Sequence, residues 1–445
     1  MKASKKRGFT IIELVIVIAV IAILAAVLIP TFTSLIKKAN ESADIQAVRQ
    51  MNTYLGINEV TAGKTILDVY NALIDGGMSA KDYHPLVSDR YFFWDKTLNR
   101  IVYTDENYNV LFPENSGSVT TNGWYSLSQE IKDVEYSITN NVVDITEAGQ
   151  LAKLAKEYKG KEALTINVKN DIDMMGASFH IEGNDIQLIG NGSGVKIIGL
   201  VNANYQEMTK NNAGTPTAYN NSLIKCQAGA KKDASVTIKN ITFESVSLGM
   251  EKSSDVALVS MLGFETDNVS ESPIVNNNGS ITFENVHIVN SEFVGKYRVA
   301  GFIAHTDAKN VTMTNCSIKN STLKASVGAV APIFSMLNNK GTFTNVVSEN
   351  NTVICSNPDY EKLTSLTVNG YEVKLPADGI MTKEPQSSGY RWYPAKSAFG
   401  IYGTTISYGG GIVADDKYPL ASGGLDCVET LEVANNYTFN SNRIS

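Results

Sequence analysis

The chain has 445 residues, 43% apolar and 19% charged, with a net charge of −7 and four cysteines. That length fits several domains of about 100–200 residues each. Low proline (11 residues) argues against wholesale disorder, the acidic balance argues against a nucleic-acid partner, and Cys226, Cys316, Cys355 and Cys427 form no CxxC pair of the kind zinc arrays use. Asparagine is unusually common, with 42 residues against 34 glycines.

The N-terminus carries the strongest pattern. Lys2, Lys5, Lys6 and Arg7 stand in one short basic block. Residues 9–29 follow as an apolar run whose only polar members are Thr10 and Glu13. As a helix this run is about 31 Å long, enough to cross a hydrocarbon core. The basic block predicts a cytoplasmic N-terminus. A secretory signal has a shorter apolar core of about 7–15 residues. A plain membrane anchor leaves Glu13 unexplained, because an ionised carboxylate inside lipid is costly and marks a functional position.

The segment KKRG-FTIIELVIVIAVIAILAAVLIP resembles the processing signal of type IV prepilins and type II secretion pseudopilins. The matching residues are Gly8, Phe9 and Glu13, followed by Pro30. The resemblance implies that a prepilin peptidase cuts between Gly8 and Phe9 and methylates the new amine of Phe9. It implies that Glu13 attracts the amine of a neighbouring subunit during assembly. A buried cation and a buried anion at one membrane depth partly cancel each other's cost. The implied partners are prepilin peptidase, other pilin or pseudopilin subunits and the inner (cytoplasmic) membrane. The implied location is a single-pass membrane protein that moves to the cell surface.

Pro30 either kinks the helix, for want of an N–H, or ends it. Beyond it, Phe32, Leu35, Ile36, Ala39, Ala43, Val48, Met51 and Leu55 keep a helical spacing. The predicted pilin helix covers 9–56. Residues 57–115 then read as a small α+β head. A short helix is expected over Thr65–Leu73, and strands over Tyr91–Trp94, Ile101–Thr104 and Val110–Phe112. Asp95, Asp105 and Glu106 are turn carboxylates, with calcium binding as the alternative. Residues 116–139 are expected to be a linker.

From 140 onward the chain reads as all-β. An amphipathic helix is expected over Thr146–Tyr158, with Leu151, Leu154, Ala155 and Tyr158 on one face. Four runs starting at Val236, Ile281, Val311 and Phe343 align so that Asn240, Asn285, Asn315 and Asn345 fall in register, spaced by 45, 30 and 30 residues. A second register holds Ser245, Asn290, Asn320 and Asn350. Fixed-period repetition is a solenoid signature. The inward alternation of Val236 and Ile238 changes phase at Asn240 before Ile241 and Phe243. Asn tolerates the left-handed backbone of a sharp corner, and stacked corners bring amides into a ladder. Cys316 occupies an inward apolar place.

The opening DITEAGQLAKLAKEYKGKEALTINVKNDIDMMGASF resembles the start of right-handed parallel β-helix domains in bacterial surface proteins. The expected domain spans 140–355 with a capping helix, and 356–445 is a C-terminal cap or loop-rich module. No catalytic, cofactor or metal site is expected. Glu244 and Glu284 are the nearest approach to a carboxylate pair, and His84, His180, His287 and His305 lie far apart. The function expected is a minor or tip pilin-like subunit that displays its β-helix toward an extracellular polysaccharide or host surface. The rivals are a membrane-tethered carbohydrate-active enzyme and an anchored surface protein that does not assemble.

Overall fold

The computed structural model describes residues 11–57, 65–114, 117–120, 123–158, 160, 162–192, 194–203, 207–210, 216–219, 221–228, 234–263, 279–306, 308–356, 365–368, 371–374, 379–383, 390–394, 396–408, 413–415, 418–419 and 422–437. A long N-terminal helix, α1 (Ile11–Ile57), is followed by a large multi-sheet β domain. Between them stands a four-stranded antiparallel sheet.

That sheet has β1 (Tyr91–Asp95) and β2 (Arg100–Thr104) at its centre, flanked by β3 (Val110–Phe112) and β4 (Trp124–Ser126). Helix α2 (Ile66–Asp75) starts at a capping box: Thr65 Oγ1 accepts from the Asp68 N–H, and Asp68 Oδ2 accepts from the Thr65 N–H. Phe92, Trp94, Ile101 and Tyr103 pack in one apolar cluster with Val48, Met51 and Leu55 of α1. Phe93 and Val102, on the opposite face, pack with Ile131, Val143 and the core of the β domain. Both faces of the pair are covered, which is why YFFW and IVY are continuous apolar runs with no polar alternation.

The linker expected over 116–139 is therefore corrected. Trp124–Ser126 pairs with β1 in the head sheet. Residues 131–136 then strap helix α3 (Ala148–Glu157): Lys153 meets Glu135 at 2.6 Å and Lys156 meets Asp133 at 2.9 Å. A Cβ on Gly149 would collide with the Lys132 carbonyl, so glycine permits this close approach.

In the β domain, Leu164–Val168, Asp185–Gly190, Ser235–Glu244, Ser280–Val289, Asn310–Lys319 and Gly341–Glu349 pair successively in parallel. A second sheet runs Val201–Asn202, Ser247–Leu248, Glu292–Gly295, Thr322–Ala325 and Thr352–Cys355, also parallel. A third runs Ile181–Glu182, Ile224–Ala228, Val259–Gly263, Ile303–Thr306 and Phe334–Leu337. From Asp185 to Leu337 each pass of the chain visits these sheets in the same order. Val236, Ile238, Ile241 and Phe243 and their register partners in the next strand are buried.

Every corner residue of both registers has a left-handed backbone: φ is 55, 53, 53 and 52° at Asn240, Asn285, Asn315 and Asn345. Ser245, Asn290, Asn320 and Asn350 lie between 51 and 55°. The amide ladder forms in two rungs, Asn285 Nδ2 to Asn240 Oδ1 (3.1 Å) and Asn345 Nδ2 to Asn315 Oδ1 (2.9 Å). Between them His287 Nε2 engages Asn285 Oδ1. Asn315→Gly should cost at most about 1 kcal/mol, the worth of one exposed hydrogen bond. Asn315→Val adds left-handed strain and should cost about 2–3 kcal/mol. Urea unfolding of the two variants checks this, and equal losses would refute it.

Among its described residues the C-terminal region carries strands. Gly400–Tyr408 extends the third sheet, and α4 (Leu431–Asn436) covers part of the last long strand. Asn435 donates to the Phe343 carbonyl and accepts from its N–H, meeting both backbone groups of an edge residue. Phe399 and Tyr402 are buried core residues, whereas the side chains of Tyr390, Trp392, Tyr393 and Tyr408 lie outside the described ones. Cys316 is buried, as its inward place required.

Three histidines have pKa values below the ordinary 6.5: His180, His287 and His305, each first by burial. The fold favours their neutral form. Their contribution is complete above pH 6.5 and is lost as pH falls through that value in the unfolded chain. Asp255 and Glu292, raised by burial, act in the opposite sense and gain with acid. His305→Gln should accordingly flatten the decline of stability below pH 6.5. Parallel pH profiles for variant and parent would refute this.

Candidate functional site

Helix α1 has 47 residues and is about 70 Å long. Its buried residues are Asp44, Val48, Met51 and Leu55, all in the C-terminal part. Asp44 fixes this end, accepting from the N–H groups of Leu86 and Val87 and from the Tyr103 hydroxyl. Asn52 makes a two-way contact with the Ile101 backbone, at 2.8 and 2.7 Å. Upstream, the apolar membrane-length window has no buried residue. Phe32, Leu35 and Ile36 extend the exposed stripe, each more than half exposed. An apolar stripe of this kind is stable only against lipid or another protein surface.

Glu13 lies in the first turn of α1 and is exposed on it. Gly8 and Phe9 lie outside the described residues. Pro30 is inside α1, so the alternative that it ends the helix does not hold. Its missing N–H leaves the Ala26 carbonyl without the usual donor. Thr31 and Thr33 donate their hydroxyls to the carbonyls of Val27 and Ile29, each at 2.9 Å. Threonines bonded back in this way favour bending, beside a proline that already weakens the ladder.

In the β domain the charged groups are paired rather than convergent. Glu244 meets Lys196 and Glu284 meets Lys239, both at 2.8 Å. Asp171 accepts from the Lys196 N–H, and Asp173 accepts from the Met175 N–H. In the head, Asp105 is engaged by Asn107 and Asn109, and Asp95 by Thr97 and Leu98, so these carboxylates close turns. Among the described residues no group of three His, Cys, Asp or Glu is arranged to hold a metal ion.

Sequence reading missed one buried polar cluster. Asp255 is fully buried, with Oδ1 2.6 Å from Arg298 Nε, and Ser254 donates to its Oδ2. Arg298 Nη1 donates to His305 Nδ1 at 2.9 Å. The pair sits in register on adjacent parallel strands, Asp255 beside Arg298. Burial pushes the Asp255 carboxyl up against the pull of Arg298, and holds His305 well below the ordinary histidine range.

The family model described as the prokaryotic N-terminal methylation motif matches residues 3–29. The chain carries an N-terminal methylation motif. Gly8, Phe9 and Glu13 fall inside the match. The type IV wide pilus major component PilA4 of Thermus thermophilus is 64% identical over 36 residues. That stretch covers 8% of this chain and 28% of the length of that protein. No solved structure matched the chain. The family match lies within the N-terminal segment and the first part of α1.

Proposed function

We propose that this chain is a subunit of a type IV pilus or a type II secretion-like filament, in a minor or tip position, displaying a surface-binding β-helix. The observation that carries the reading is a methylation motif at the head of a helix whose apolar stretch is wholly unburied. Such a stretch fits lipid before assembly and neighbouring subunits afterwards. In this reading the chain spans the cytoplasmic membrane once. Prepilin peptidase cuts between Gly8 and Phe9 and methylates Phe9. Glu13 then guides assembly, and Pro30 loosens the helix.

The three parallel sheets, visited in fixed order with Asn at the corners, support a right-handed parallel β-helix for the displayed domain. Helix α3 at one end and α4 with Asn435 at the other cover its edges, as a solenoid requires. Its size beside a thin helix favours the tip or an occasional position. We read the domain as a binding module for an extracellular polysaccharide or host surface and not as an enzyme.

Mass spectrometry of the native N-terminus tests the reading. The expected chain begins at N-methylated Phe9. A chain that retains Met1 and the basic leader overturns it.

A further inference from the structure

The head and the β domain meet along a seam, and the seam holds a cavity of about 790 Å³. That size is within the roughly 300–1,000 Å³ of small-ligand sites, which favour domain junctions. One wall is α2, with Asn71, Ile74 and Asp75; the other is the turn bearing Met250, Glu251 and Lys252. The inner end holds Tyr83 and Gln129.

Two features mark the inner end as built. Gln129 is 4% exposed and has φ 57°, a left-handed backbone that glutamine rarely adopts. Its Oε1 accepts from the Ala203 N–H at 3.0 Å, which pins the β domain to the head. Strain of this kind persists only where the surroundings over-determine it, and it gathers at functional sites. Tyr83 is 6% exposed, stacks on Tyr70 at 5.4 Å, and its hydroxyl has no hydrogen-bond partner among the described residues. A buried hydroxyl without a partner is rare in native proteins and calls for an explanation.

The chemistry of the walls selects a ligand class. The polar groups include acceptors and donors: the carboxylates of Asp75 and Glu251, the amides of Asn71 and Gln129, and the Ser79 hydroxyl. Ile74, Ala203 and Met250 supply apolar surface. The charges balance, because Lys252 stands at the mouth and Lys324 lies 3.5 Å from Glu251. A strongly anionic or cationic polymer gains nothing there. Mixed donors and acceptors, an apolar wall and no net charge suit a ligand rich in hydroxyl groups, which both donate and accept.

We propose that this cavity binds a neutral oligosaccharide, with Tyr83 as the buried polar contact and Gln129 as the residue that positions the seam. The proposal rests on the reading of the chain as a surface-displayed binding module and names the site that binds. Tyr83 remains a neutral hydroxyl at working pH, since burial raises its pKa to about 12.

The test uses the full chain in detergent without sugar head groups, titrated calorimetrically with cellotetraose and with chitotetraose. At least one should bind saturably. Tyr83→Phe should weaken that binding at least fivefold and at the same time raise the urea midpoint, because it removes an unpartnered buried hydroxyl. A residue with only a packing role would move stability and leave affinity alone. The proposal falls if neither tetrasaccharide binds, or if Tyr83→Phe binds as the parent does. Filament assembly and cell adherence are scored separately with the same variant. Assembly and adherence without saccharide binding sink the cavity and spare the display reading, whereas absence of the chain from filaments sinks the display reading itself.

Discussion

Glu13→Ala should insert into the membrane as the parent does and then fail to enter filaments. Insertion depends on the length and hydropathy of the run over 9–29, and removing a carboxylate from that run only makes it more apolar. Assembly is different. If the amine of Phe9 on one subunit is met by Glu13 of its neighbour, the variant leaves a cation in an apolar environment. A charge there costs about 2.5–3.5 kcal/mol even on the mildest scales. That is roughly a hundredfold in an assembly equilibrium. Glu13→Asp shortens the reach but keeps the charge, and should fall between parent and Ala. The measurement is the ratio of membrane-bound to filament-bound chain by quantitative immunoblot. Normal incorporation of the Ala variant refutes the role given to Glu13. Loss of the chain from the membrane fraction assigns Glu13 to insertion instead.

Where the fold was most legible, a single residue type carries the geometry. Asparagine at φ near 53° is such a case, since few other side chains sit there without strain, and all seven corner asparagines together with Ser245 have that backbone. The helix expected over Thr65–Leu73 is α2, legible from the helical spacing of Ile66, Val69, Tyr70 and Leu73, whereas its capping box with Asp68 was not singled out. What was missed depends on contacts between distant segments. Ser126 donates its N–H to the Met175 carbonyl, and Gln129 reaches Ala203, across gaps that no local pattern spans. The one clue to that docking was in the head strands. Phe92 and Phe93 are both buried because α1 covers one face of the sheet and the β domain covers the other. A half-solvated sheet would have alternated. The third parallel sheet was hidden for another reason. Val259, Ile303 and Phe334 are spaced by 44 and 31 residues, close to the asparagine period, but three different apolar residues occupy the place and no single residue type marks it.

The docking also bears on display. A module on a flexible tether samples many directions, and ordering it on binding carries an entropic cost. Here the strap over α3, the strand Trp124–Ser126 and the Gln129–Ala203 contact hold the β domain to the head, and Asp44 and Asn52 hold the head to α1. In the proposed filament the direction of the displayed face is thereby set by the helix. Breaking the seam should loosen presentation without touching the methylation motif.

Arg298→Met should be the most destabilising single change within the β domain. Asp255 is fully buried, and Arg298 is the cation beside it, at 2.6 Å. Removing one partner of a buried pair strands the other, at a loss of about 3–5 kcal/mol. The loss should shrink in acid. Without Arg298 the Asp255 carboxyl takes up a proton more readily in the folded chain than in the unfolded one. Protonation then favours the fold, and the variant regains stability as pH falls through the raised value. The double change Asp255→Leu with Arg298→Met should recover most of the deficit, because two apolar groups of similar volume need no partner. His305 makes the recovery incomplete, since it loses the donor at its Nδ1. Urea unfolding of parent, single and double variants at pH 7 and pH 5 gives the comparison. If the double variant is no more stable than Arg298→Met alone, the pair is not what the loss measures. If the single variant unfolds alike at both pH values, Asp255 is not the group left behind.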